Sequence, residues 1–301
     1  MDRRKYIKQS TFTAAAFSLS GLTNLIPRNA RAAAVDASFA AEGGFKTMVD
    51  GASIFAWRFR DLNGFGPGGL GSGLVVMEGD AVDITVYNDL DRPINLVIPG
   101  VLDSTPAVSP GDSRIYSFTA PAAGSYLYFD ALNGEISRAM GLAGPLVVMP
   151  ADGSDRLYVG GPSFDRQYTL VFQEFDDRLN PAIAAGGSYN MDNYEPNYFF
   201  VNDLSFPNTA SDGDTLVEMS VGEDVAIRML NAGMITNPMH FHGYHVDVAT
   251  RNRIPETAVV TKDTVLVDIG ECVDVILPCT QPGAYPLHTH YVPGVTANGV
   301  Y

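Results

Sequence analysis

All five histidines of the 301-residue chain fall within two short stretches. Asn237-Pro-Met-His-Phe-His-Gly-Tyr-His245 holds His240, His242 and His245, and Pro286-Leu-His-Thr-His290 holds His288 and His290. Residues two apart on an extended strand point to one face, so each His-x-His offers two imidazoles side by side. Two such strands brought together offer four imidazoles to one ion. Such donors suit copper(II), zinc or nickel. Neither stretch sets a carboxylate or thiolate pattern beside its histidines, which leans towards copper, and neither carries a general base, which weighs against a zinc hydrolase. His245 lies an odd number of residues from the first pair and faces the other side, in a structural or supporting place. Asp247 and Asp263 are carboxylates that could orient a ligand imidazole.

Strands must position these histidines, and the chain reads as β throughout. Short runs of valine, isoleucine, tyrosine and phenylalanine, among them Leu74–Met77, Val82–Tyr87, Arg114–Phe118 and Pro145–Met149, are punctuated by Gly, Pro, Asn and Asp. No long stretch keeps a helical period. The glycine-rich Asn63–Gly73 segment has no helix behind it to cradle a phosphate and reads as a loop.

The polar Pro150–Asp155 break separates two similar halves. Leu74–Asn88 recurs, with one inserted residue, as Leu216–Asn231, and Ala123–Ala131 has the form of Pro282–His290. An internal repeat of a short-stranded unit implies two tandem β-sandwich domains, residues 35–155 and 156–301. Setting the halves against each other places Val97 opposite His240, Pro99 opposite His242, Phe129 opposite His288 and Ala131 opposite His290. The first half therefore has no metal ligand at any of the four positions.

The N-terminal Asp2-Arg-Arg-Lys-Tyr-Ile-Lys8, the mildly apolar Thr11–Leu25 run and Ala30-Arg-Ala32 read as a twin-arginine export signal occupying residues 1–34. The expected destination is the periplasm or the extracellular space. Removing residues 1–32 takes away six basic residues and one acid, moving the formal charge from -15 to -20. So acidic a chain is a poor partner for nucleic acid or anionic membranes, and no other stretch is long and apolar enough to span a bilayer. Cys272 and Cys279 bracket a strand, so their Cα atoms stand roughly 20 Å apart, beyond disulfide reach. They read as free buried thiols.

The motifs Asn237–Gly243, Lys262-Asp-Thr-Val265, Pro282–His290 and Asn298-Gly-Val-Tyr301 closely resemble the C-terminal cupredoxin domain of multicopper oxidases, and Glu195–Phe206 resembles the entry into that domain. The first half resembles the N-terminal domain more weakly, through its spacing and Ser109-Pro-Gly-Asp. This resemblance implies an all-β fold of two Greek-key cupredoxin sandwiches, copper as cofactor, and oxidoreductase activity towards O2 and a small reductant. By position it makes His240 a type 2 copper ligand and His242, His288 and His290 type 3 ligands. It also shows departures. The type 1 cysteine position is Thr289, the type 1 histidine before Pro-Met is Asn237, and no histidine follows a few residues past His290. The family shares its trinuclear cluster between domains, in two-domain members across a trimer. Here a homotrimer would bring only Val97, Pro99, Phe129 and Ala131, so half a site remains, to hold copper alone or to be completed by a partner chain. A non-catalytic copper-holding or scaffold role is the alternative. The resemblance further implies a last apolar strand after Tyr301.

Overall fold

The computed structural model describes residues 33–63, 73–296 and 299–300. The export signal read in residues 1–32, and most of the glycine-rich stretch, lie outside them. Ala33 and Ala34, set with the leader on sequence grounds, belong to the fold: the first strand begins at Ala34, and the Ala33 N–H donates to Asp80 at 2.7 Å.

The first sandwich comprises β1 (Ala34–Thr47), β2 (Ser53–Asp61), β3 (Leu74–Met77), β4 (Ala81–Asn88), β5 (Ser113–Thr119), β6 (Gly124–Phe129) and β7 (Ala143–Met149). They form two sheets, ordered β2-β1-β4-β5 and β3-β7-β6. The second comprises β8 (Arg166–Phe175), β9 (Tyr198–Val201), β10 (Asp224–Asn231), β11 (Asn237–Phe241), β12 (Val246–Arg251), β13 (Ile254–Lys262), β14 (Thr264–Val267), β15 (Cys272–Pro278) and β16 (Leu287–Thr289). Its sheets run β13-β12-β15-β10-β8-β9 and β14-β11-β16. The four strands expected from their apolar runs are present, and the helices among the described residues are short segments outside the sheets.

Alternation sets the cores. In β4, Val82, Ile84 and Val86 turn inward while Asp83 is exposed, the pattern of a strand with one face in water. Tyr128 packs against Phe39 and Phe59 with ring centroids 5.4 and 5.6 Å away. The second core gathers Phe172, Ile227, Met239, Phe241, Val246 and Val275.

The repeat seen in the sequence is carried in hydrogen bonds. Asn88 donates through Nδ2 to the Arg92 and Val108 carbonyls and accepts from the Leu90 N–H. Asn231 donates to the Ile235 and Val267 carbonyls and accepts from the Gly233 N–H. Each buried amide ties the turn after its strand to a neighbouring segment, which explains why asparagine ends both repeats.

Two polar networks join the sandwiches. Arg228 and Asp274 are fully buried in β10 and β15, 3.5 Å apart. Ser125 of β6 donates to Asp274 at 2.5 Å, Thr250 donates to the same carboxylate, and Arg228 also reaches Gln167. In the second network Arg138 of the first sandwich donates to the Asn231, Ala232 and Gly233 carbonyls. Below that loop lies Glu174, which accepts from the Met234 N–H and the Tyr194 hydroxyl.

Two outcomes are expected from these networks. Asp274→Ala leaves Arg228 charged and unpaired in the interior, and should cost about 3–5 kcal/mol in urea unfolding. Burial pushes the Glu174 carboxyl up to about 7. The folded state then holds a proton that the unfolded chain has released, so stability declines as pH rises from the unfolded value through about 7. In Glu174→Gln that decline, on the order of 3 kcal/mol, should vanish from thermal melts across this window.

Candidate metal centre

β11 is held by alternate residues. Asn237, Met239 and Phe241 are buried, whereas Pro238 and His240 are only half-buried. Burying Met239 and Phe241 stabilises by roughly 1.5–3 kcal/mol each, and a one-residue slip would exchange them for His240. The core thereby fixes which way His240 points. At the strand end Gly243 adopts φ +72°, and a Cβ there would lie 2.6 Å from the Tyr285 ring, so only glycine lets His242 follow on the same face.

β16 pairs antiparallel with β11, with His240 directly opposite His288 and Met239 opposite the fully buried Thr289. This brings four imidazoles together on the outward face. Ring centroids are 4.6 Å apart for His240–His242 and for His240–His290, 5.0 Å for His242–His288, and 5.2 Å for His288–His290. The Nε2 atoms of His242 and His288 are 2.9 Å apart. His245 is exposed and takes no part in these ring contacts among the described residues.

The other ring nitrogens define tautomers. His240 Nδ1 lies 3.0 Å from the Asp263 carbonyl oxygen and 2.9 Å from the Thr264 hydroxyl, and His288 Nδ1 lies 2.9 Å from the Thr289 carbonyl oxygen. A carbonyl only accepts, so both Nδ1 atoms carry the hydrogen and both Nε2 atoms keep a lone pair. This is the arrangement in which a second hydrogen bond orients a metal-binding imidazole. Partial desolvation, and then the His240, His288 and His290 rings, hold the His242 imidazole below its usual range, favouring the neutral form a metal needs.

The donor set suits a cation of the copper or zinc type. A spacing of 2.9 Å between His242 and His288 is what two nitrogens take across a shared proton, or as neighbouring ligands with bonds of about 2.0 Å at roughly a right angle. Among the described residues no three His, Cys, Asp or Glu side chains converge tightly enough to cage an ion outright. The chain presents one close pair with two further rings beside it.

Asp263 acts through its backbone rather than its carboxylate, and Asp247 accepts from Thr261 instead of an imidazole. Side-chain type could not reveal the Asp263 carbonyl; the sequence signal was Lys262-Asp-Thr-Val265, whose Thr264 pairs with His240. In the first sandwich Val97 bridges Phe129, the counterpart of the His240–His288 pair with no ligand on either strand. Phe129 instead packs with Val171, Leu230 and Cys272 of the second sandwich. Cys272 and Cys279 are free and buried.

Asn237 and Thr289 face inward, opposite the imidazoles. Asn237 donates to the Ile235 carbonyl, the Thr289 hydroxyl accepts from the Tyr291 N–H, and Gly294 packs so close that a Cβ would meet Thr289 at 2.9 Å. A blue-copper site needs a thiolate with two imidazoles, and this region offers neither. Thr289→Cys alone should therefore bind copper(II) without the intense blue absorption, checked by optical titration.

Multicopper oxidase family models match residues 62–153 and 183–297. Copper-containing nitrite reductase of Alcaligenes xylosoxydans xylosoxydans is 27% identical over 273 residues, covering 81% of this chain and 78% of that protein. Human hephaestin is 26% identical over 246 residues, and the chain spans 20% of its length. Among solved structures, blue copper oxidase from Nitrosomonas europaea superposes with a TM-score of 0.73 at 25% identity, covering 89% of this chain and 84% of that one. Copper nitrite reductase from the same organism superposes with a TM-score of 0.70 at 20% identity, covering 89% of this chain and 92% of that one, a likeness of fold. With both halves matched and the cupredoxin-like sandwiches in place, the chain belongs to the multicopper oxidase superfamily.

Proposed function

We propose that this chain is an exported copper protein in which His240, His242, His288 and His290 hold the metal in a type 2- or type 3-like setting, and that it acts as a one-electron oxidoreductase. The oxidant would be O2 or nitrite, the electron source a small reductant. The observation that carries this reading is the meeting of His242 and His288 Nε2 at 2.9 Å, with His240 and His288 both held at Nδ1 by backbone carbonyls. Copper bound there would supply single-electron exchange and an open position for a small ligand. The protein's part is to keep His240 and His288 in one tautomer and to hold His242 neutral.

The export route rests on Arg3 and Arg4 and the apolar run after them. Among the described residues no helix is long and apolar enough to cross a membrane. We place the limit between the two domains at 155/156, as the repeat suggests. The second reading is a non-catalytic copper holder, favoured by Val97, Pro99, Phe129 and Ala131, which withhold the other half of a shared cluster. A homotrimer repeats that deficit, so a fuller cluster would need a different partner chain.

The test uses protein exported from copper-supplied cells. Copper analysis and electron paramagnetic resonance should show a type 2 signal without intense blue absorption, and His240→Ala or His288→Ala should lose it. Reductant-dependent consumption of O2 or nitrite, lost in the same variants, supports the enzyme. Copper binding without turnover supports the holder, and metal-free protein with all four histidines intact overturns both.

A further inference from the structure

Four aspartates are buried among the described residues, and three of them have their charge answered. Asp274 faces Arg228 and Asp176 faces Arg178, while Asp130 collects hydrogen bonds from Asn95, Leu132, Asn133 and Ser137. Asp80, 3% exposed in the turn between β3 and β4, has neither kind of company. It accepts from two backbone amides, the Met77 N–H at 2.8 Å and the Ala33 N–H at 2.7 Å, and among the described residues no cationic side chain pairs with it. A buried carboxylate so sparsely partnered is costly.

Ala33 is held from both sides. Its N–H goes to Asp80, and its carbonyl accepts from the Ala81 N–H at 2.9 Å. The next residue opens β1 and pairs with Ala81, in the parallel register that runs to Ala41↔Asn88. That strand carries Ala37, Phe39 and Ala41 into the first core. The sheet itself therefore fixes the Ala33 nitrogen beside the carboxylate. The residues just before it are Ala30-Arg-Ala32, with alanine at the third and first positions ahead of the Ala32–Ala33 bond, the small-residue spacing that a signal peptidase recognises. Ala33 and Ala34 are exposed, so the first sandwich need not unfold to be cut there.

We propose that signal peptidase cuts the chain between Ala32 and Ala33, and that the new α-ammonium of Ala33 is the cation that pairs with Asp80. This rests on the export reading above. Water's hydroxyl goes to the Ala32 carbonyl carbon and its hydrogen to the Ala33 nitrogen as the C–N bond breaks, and the new carboxyl then gives up its proton to that nitrogen. One carboxylate leaves with the signal. One ammonium stays where the amide stood, 2.7 Å from Asp80 Oδ1, the length of a charge-assisted hydrogen bond. A neutral donor becomes a charged one, so processing tightens the head of β1. An ammonium that gains a carboxylate keeps its proton to higher pH. The pair therefore stabilises fully below the amine's ordinary value near about 8, and its contribution is lost as pH rises through the raised one.

The test compares the exported protein with a full-length chain kept uncut by Arg3→Lys and Arg4→Lys. Intact mass and N-terminal sequencing should place Ala33 first in the exported protein. Asp80→Asn should lower the melting temperature of the cut protein by about 2–4 °C more than that of the uncut one. Should Asp80→Asn not fold, the α-amine is read directly: reductively methylated with 13C-formaldehyde and followed by NMR, it should titrate well above about 8. Retention of the whole chain in the cytoplasm sinks the export reading alone, because the full-length chain cut in vitro by signal peptidase carries the same amine for both measurements. A first residue other than Ala33, no cut by either route, an equal effect of Asp80→Asn on cut and uncut chains, or an α-amine titrating near about 8 overturns the proposal.

Discussion

The pairing of β11 with β16 is the constraint on which the site depends. Each strand is short, three to five residues, and neither would hold its register alone. What fixes them is the inward half of the alternation: Met239 and Phe241 from one strand and Thr289 from the other, all buried. With those settled, His240 and His288 have to stand opposite each other on the outward face. Core packing and histidine placement are therefore one decision, made by the same residues at period two.

That separation of faces explains how one kind of copper position can be absent while another set of histidines stays intact. Asn237 and Thr289 belong to the inward face, where a side chain must be small, hydrogen-bonded or apolar, and both satisfy that requirement. The imidazoles belong to the outward face and do not support the core. The first sandwich makes the same point from the other side. Val97 and Phe129 keep the cross-strand bridge without a histidine, and Phe129 gives its area to the contact between sandwiches. The first sandwich keeps the fold without these histidines because the imidazoles of the second take no part in its core packing.

Much of this was legible in the sequence, for identifiable reasons. Strands with one wet face announce themselves by alternation, so Val82–Tyr87 was found within a residue of the strand, and the clustering of all histidines in two His-x-His units foretold four rings on one face. The internal repeat foretold the pairing of positions 97 and 129 in place of 240 and 288. The parts that were not legible depend on the backbone or on distant packing. Asp263 drew notice for a carboxylate, yet its carbonyl is what holds His240. Glu174 and Arg228 look like ordinary charged residues within strands, yet both are buried, Arg228 against Ser125 of the other sandwich and Glu174 beneath the Gly233–Met234 turn.

The metal-free protein also has a proton to place. With His240 and His288 both carrying hydrogen at Nδ1, His288 Nε2 can only accept, so His242 must donate from Nε2 across the 2.9 Å gap. A cation binding there displaces that hydrogen rather than filling an empty socket. Partial desolvation, and then the neighbouring imidazoles, disfavour a second proton on His242, so a cation would meet a neutral ring. The acidic charge of the chain raises the local concentration of cations at the same time. The hydrogen bond joining His242 to His288 is the interaction that a metal at this pair would replace.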